Sequence, residues 1–160
     1  MQKNGPAYYA AKAECQLSES CAELLLNIED AYPSEAGVVF WQRTCRLNRG
    51  ADASIQIIDD YVLDSEASAS VSFSLMTLCE PLNIAPGMFE LEYAMGKRVT
   101  VSYDSEQLLI NFERIELTES RLRKNWGDTV YRVLLTTIRS EQIGTRKLLI
   151  KQSFIEEMSG

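Results

Sequence analysis

The stretch VVFWQRTCRLNRGADASIQIIDDYVL (residues 38–63) holds two runs of alternating side chains around a polar corner at Gly50. In the first run Phe40, Gln42, Thr44, Arg46 and Asn48 share one face, and Val39, Trp41, Arg43, Cys45 and Leu47 share the other. A period of two is the signature of a strand that turns one face toward a core. The second set is the expected core side, where Arg43 needs a partner or an edge position. In the second run Ile55, Ile57, Tyr61 and Leu63 line one face around Asp59. A carboxylate among apolar neighbours is expected to accept hydrogen bonds from backbone, or from an arginine such as Arg43.

The same alternation extends outward. In SASVSFSLMTL (68–78) Val71, Phe73 and Leu75 alternate with Ser72, Ser74 and Met76. Shorter runs follow at 88–93, 98–103, 107–117, 129–140 and 145–153, joined by turn residues such as Pro86-Gly87 and Gly96. Before residue 30, AAKAECQL (10–17) and AELLLNI (22–28) are expected to pair across SESC. ESCAELLLNIEDAY also admits a helix, with Cys21, Leu24, Leu25 and Ile28 on one side. About ten closely spaced strand candidates predict an all-β fold with little or no helix. The expected architecture is a two-sheet, mostly antiparallel β-sandwich forming a single domain over residues 1–160. A closed barrel around a small ligand would show the same alternation.

Composition narrows the chemistry. The chain has no histidine, which removes a Ser-His-Asp or Cys-His arrangement and the commonest zinc ligand. A net charge of −7 disfavours nucleic acid and anionic membranes as partners. The absence of an apolar run near the length of a membrane span predicts no transmembrane helix. The opening MQKNGPAYYAAKAECQ lacks the apolar core of a signal peptide, and the compartment, periplasm or cytoplasm, stays open. Cys15, Cys21, Cys45 and Cys79 form no C-x-x-C pair; buried free thiols are the favoured expectation, and the even count leaves disulfides as the alternative. Asp59 and Asp60 point to opposite faces of a strand, as do Glu113 and Glu116, so neither pair reads as an acid–base couple. Asp52, Asp59, Asp60 and Asp64 lack EF-hand spacing; no metal or cofactor is expected. The seven tyrosines are read chiefly as core, with stacking on sugar rings as the functional alternative.

Two stretches in order, AYPSEAGVVFWQRTCRLNRG (31–50) and IQIIDDYVL (55–63), resemble the carboxyl-terminal β-domain of heparinase II/III-like polysaccharide lyases. The matching positions are Ala31, Tyr32, Pro33, Glu35, Ala36, Gly37, Arg43, Thr44, Arg49, Gly50 and Asp59 to Tyr61. LMTLCEP (75–81) and RLRKNWGDTVYRVLL (121–135) continue the likeness, whereas Glu119-Ser120 departs from the acidic residue usual before the "RL" pair. The resemblance implies a parent enzyme with a helical toroid upstream, performing β-elimination on uronic-acid-containing polysaccharide. In that family the catalytic histidine and tyrosine lie upstream, so no catalytic residue carries over. The implied role is non-catalytic support of the cleft, with the upstream catalytic domain or a self-association partner as the contact and acidic polysaccharide as a possible ligand. The competing reading is a free-standing carbohydrate- or protein-binding module, with Trp41, Tyr61, Trp126 and Tyr131 as sugar-contact candidates. Tyr32, Pro33, Arg43, Asp59, Trp126 and Gly127 are the structural positions of the motif. Arg121, Arg123 and Lys124 are expected to meet Glu116 and Glu119, with Trp126 capping the sandwich end and Gly127 turning the chain.

Overall fold

The computed structural model describes residues 5–64 and 71–154. Strand accounts for 61% of it against 9% helix, in an eight-stranded antiparallel sheet and a three-stranded sheet, so the all-β sandwich expected from alternation is the fold. The chain divides into two compact units, the first over Met1–Ala69 and Ser140–Ile150 and the second over Ser70–Arg139 and Lys151–Gly160.

The first unit contains β1 (Lys12–Leu17), β2 (Cys21–Asn27), β3 (Val38–Asn48) and β4 (Ser54–Leu63), hydrogen-bonded in that order. The next neighbour of β4 is β11 (Ile143–Phe154), which runs on into the second unit. β1 and β2 form the hairpin expected across SESC, with Ser18 Oγ accepting the Cys21 N–H at 3.0 Å. The alternative helix over this region does not form. β2 is paired on both sides, to β1 and to β3, and only Glu29–Ala31 and Ser34–Ala36 close into 3-10 turns. Two ladders of backbone hydrogen bonds outweigh the high intrinsic helix propensity of AELLL, which sums to little over so short a run.

Along β3 and β4 the expected core face is buried at one end only. Trp41, Asp59, Tyr61 and Leu63 are inside with Ile28, Ala31 and Leu148. Val39, expected on the core side, is 61% exposed. The β3–β4 register shifts between Val38 and Phe40, and this bulge takes Val39 out of the alternation. At the far end Leu47 and Ile55 also remain partly exposed.

The second unit contains β5 (Ser72–Thr77), β6 (Pro81–Ala85), β7 (Met88–Ala94), β8 (Lys97–Ser102), β9 (Leu108–Glu116), helix α1 (Ser120–Trp126) and β10 (Thr129–Thr137). The three-stranded sheet has the order β5-β10-β9, and β8, β7 and β6 are consecutive in the larger sheet. The half-buried pattern read from SASVSFSLMTL holds: Val71 and Phe73 are buried while Ser72, Ser74 and Met76 are exposed. Phe89 of β7 meets Phe112 of β9 edge-to-face at 5.7 Å, which joins strands of the two sheets within this unit around Val101, Leu108, Val133 and Leu135.

RLRKNWG forms α1 and its exit rather than a loop. Gly127 takes φ 80° with ψ −165°, a backbone region open essentially to glycine alone, and donates its N–H to the Arg123 carbonyl. The cations do not meet the carboxylates expected of them. Arg123 Nε pairs with Asp128 Oδ1 at 2.7 Å, and Glu116 is taken by Arg114 on its own strand. One turn of helix brings Arg123 to Asp128, the residue after Gly127, whose carbonyl in turn accepts the Leu117 N–H at the end of β9. Trp126 is 55% exposed and so does not serve as the cap expected of it.

Candidate functional site

The chemistry of the first unit converges on Asp59. β3 and β4 place Arg43 directly opposite Asp59, and Trp41 opposite Tyr61, because their register is one-for-one beyond the bulge. Arg43 donates Nε to Asp59 Oδ1 at 2.8 Å and Nη2 to Oδ2 at 3.1 Å. Trp41 donates Nε1 to the same Oδ1 at 2.6 Å. Asp59 is only 4% exposed, so the carboxylate is held by a bidentate arginine and an indole in place of water. Burial works against the Arg43 charge, but the Asp59 hydrogen bonds and negative charge outweigh it and raise the guanidinium above its ordinary value. A carboxylate committed to three donors is a poor general base.

Aromatic rings extend this cluster on both sides. Tyr32, delivered by the turn at Pro33, stacks on Trp41 with centroids 5.4 Å apart and 16° between planes. Trp41 meets Tyr61 at 5.4 Å, and the Arg146 guanidinium lies 5.8 Å from the Tyr61 ring centroid. Arg146 donates Nη1 to the Thr145 carbonyl and Nη2 to Glu141 at 2.6 Å. Burial raises the Tyr32 phenol; the nearby Arg43 charge pulls it back and Asp59 pushes it further up. Burial likewise raises Tyr61, with Arg146 opposing it. Neither phenol is poised to lose a proton near neutrality. Cys45 is raised chiefly by burial, and all four cysteines are free. Cys15 is exposed and the other three are half-buried, so the free state was legible but not the burial expected for all four.

Of the proposed sugar contacts, Trp41 at 5% and Tyr61 at 1% exposure are enclosed and offer no ring face to a ligand. The pleat that aims them at Asp59 also aims them inward. Trp126 is exposed at the end of α1, and Tyr131 is half-buried on β10 opposite Arg114 and Thr77. The structural positions Tyr32, Arg43 and Asp59 come together in one cluster, with Pro33 at its rim, while Trp126 and Gly127 belong to the helix exit in the second unit. Glu113 is engaged by Arg132 across β9 and β10 and is not a free acid.

Sequence reasoning missed Glu29. It follows β2 directly and accepts from the Asn27 side chain at 3.5 Å and from the Trp41 backbone N–H at 3.4 Å. Glu29 also lines a cleft of about 470 Å³ with Asp30, Glu35, Tyr8, Tyr9 and Tyr32. The signal was the acidic pair in NIEDAY, which falls within the alternative helix ESCAELLLNIEDAY. Glu29, Asp30 and Glu35 gather negative charge at this rim. Among the described residues, no group of three or more His, Cys, Asp or Glu is placed to hold a metal ion.

No family model matches the sequence, and a search of curated proteins finds no match. Solved structures do match the fold. A crystal structure of a heparan sulfate lyase HepC mutant from Pedobacter heparinus superposes with a TM-score of 0.63 at 10% identity, over 91% of this chain and 22% of that one. The crystal structure of heparan sulfate lyase HepC from the same organism gives 0.61 at 10% identity, with the same coverage. The chain therefore spans about a fifth of the length of these structures and has the fold of one part of them.

Proposed function

We propose that this chain is the non-catalytic carboxyl-terminal β-sandwich domain of a heparinase II/III-like polysaccharide lyase, supporting the cleft in which the upstream region performs β-elimination on a uronic-acid-containing polysaccharide. The observation that carries this reading is the fold match over 91% of the chain to a fifth of a heparan sulfate lyase. The site chemistry agrees with it. Abstraction of the proton beside a uronate carboxylate needs a base free to accept it. Here the enclosed carboxylate is occupied by Arg43 and Trp41, and the phenols of half-buried Tyr32 and buried Tyr61 are raised rather than lowered. The Asp59 cluster is then a structural pin for β3, β4 and the Tyr32 turn.

Purified chain incubated with heparan sulfate and other uronic-acid polysaccharides should give no rise in unsaturated-uronate absorbance. The reading frame upstream of this segment should encode a helical catalytic region. A steady absorbance increase proportional to protein, or an upstream frame that encodes no such region, overturns the proposal.

A further inference from the structure

β1 terminates the hydrogen-bonded order of the larger sheet, and all six of its residues are exposed. Its backbone polarity follows from its one neighbour. The Ser18 N–H bonds to the Cys21 carbonyl at 2.8 Å, and the register with β2 runs one-for-one from Leu17↔Ala22 to Lys12↔Asn27. Hydrogen-bonded and non-bonded pairs alternate in an antiparallel ladder, so the even-numbered residues of β1 bond to β2. Ala13, Cys15 and Leu17 therefore direct their N–H and C=O groups away from the sheet. The opposite edge of that sheet is blunted: β6 begins at Pro81, and its register with β7 shifts between Asn83 and Ala85. β1 has no proline and no register shift.

We propose that two copies of the chain pair antiparallel through β1, with Cys15 opposite Cys15 of the second copy and Ala13 opposite Leu17 of the second copy. An outward-facing residue must meet an outward-facing residue, which restricts the register to steps of two. The register centred on Glu14 sets two like charges face to face. Those centred on Ala13 or Gln16 overlap only three residues of the strand. The register centred on Cys15 overlaps residues 13–17, sets Glu14 against Gln16, and forms about six backbone hydrogen bonds.

Side-chain chemistry points to the same arrangement. Cys15 shares its face with Leu24 and Cys45, and Leu17 shares it with Ala22, Leu47 and Ile55. Cys15, Ala22, Leu24, Cys45, Leu47 and Ile55 of these rows line an apolar depression of about 210 Å³, and Leu17, opposite Ala22, is 75% exposed. Pairing in this register keeps both apolar faces on one side of the joined sheet and shields Leu17 from water. Lys12 and Glu14 lie on the other face, where they pair with each other at 2.7 Å.

The test is sedimentation velocity of the full chain, with bis-maleimide cross-linking and peptide mapping. Wild type should sediment as a dimer and yield a Cys15–Cys15 cross-linked peptide. Cys15→Pro removes an outward N–H that β2 does not use, so the β1–β2 ladder persists and the dimer weakens by roughly tenfold or more. Leu17→Lys reaches the same edge without altering the backbone and should weaken the dimer while leaving the circular dichroism spectrum unchanged. A wild-type chain that stays monomeric at its highest soluble concentration overturns the proposal. So does a dimer that keeps its affinity in both variants, or one whose cross-link omits Cys15. The test is independent of lyase activity, so failure here and failure of the lyase reading are separate results.

Discussion

Asp59 lies among Trp41, Tyr61 and Leu63 with both carboxylate oxygens engaged, Oδ1 by Trp41 and Arg43 and Oδ2 by Arg43 alone. Replacing Asp59 by alanine removes the acceptor that the indole N–H uses and takes the counter-charge from the guanidinium. A buried pair broken from one side typically costs about 3–5 kcal/mol. The Arg43 side chain is 36% exposed and regains some water, so Asp59→Ala should lower the unfolding free energy by about 3 kcal/mol in urea titrations. Asp59→Asn retains an acceptor for Trp41 and should lose less. A drop for Asp59→Ala within about 0.5 kcal/mol, the range of ordinary surface substitutions, would show that the cluster does not pin the turn.

At the scale of elements, β11 comes against β4 so closely that Gly144 has no room for a side chain. A Cβ built on Gly144 falls inside the contact distance of the Tyr61 ring and hydroxyl. Gly144→Ala should therefore destabilise the fold by roughly 1–3 kcal/mol through overpacking, since the ring it strikes is fully buried. The same substitution in a Tyr61→Leu background should be nearly neutral, and a thermal-melt double-mutant cycle reads that coupling. Purely additive losses would place the strain elsewhere. The neighbouring contact from Thr145 Oγ1 to Asp60 Oδ1 at 2.6 Å ties the same two strands on the other face.

For the molecule as a whole, the phenols of half-buried Tyr32 and buried Tyr61 set an alkaline limit to stability. Their folded pKa values lie above the ordinary tyrosine value, mainly because burial disfavours the phenolate. Their contribution is fully present below about pH 10, where unfolded tyrosine begins to ionise, and is lost as pH rises through the folded values. The sign follows from proton counts: in that window the unfolded chain binds fewer protons, so the slope of stability with pH is negative. The urea midpoint should fall above about pH 10, and Tyr32→Phe should shallow that fall. An unchanged alkaline slope in Tyr32→Phe would mean that the phenol ionises as freely in the fold as outside it.

Much of this was legible without coordinates, because strand alternation is a local property set by the pleat. Val71 and Phe73 against Ser72 and Ser74 specified β5, and Arg43 and Asp59 on the expected core faces of successive strands specified each other as partners. The hairpin at SESC was equally local, since a polar turn of that length joins antiparallel neighbours. What the tertiary structure alone decided is where each alternating face meets cover. Val39 left the core because a bulge consumed one residue, and Leu47 and Ile55 stayed partly exposed at the far end of their strands. Trp41 and Tyr61 read as aromatic in any case; only packing against Tyr32 and Arg146 made them interior rather than surface rings. The physical reason is range. Pleat, turn and parity are fixed by neighbours along the chain, whereas burial depends on residues that reach the same place from distant parts of it.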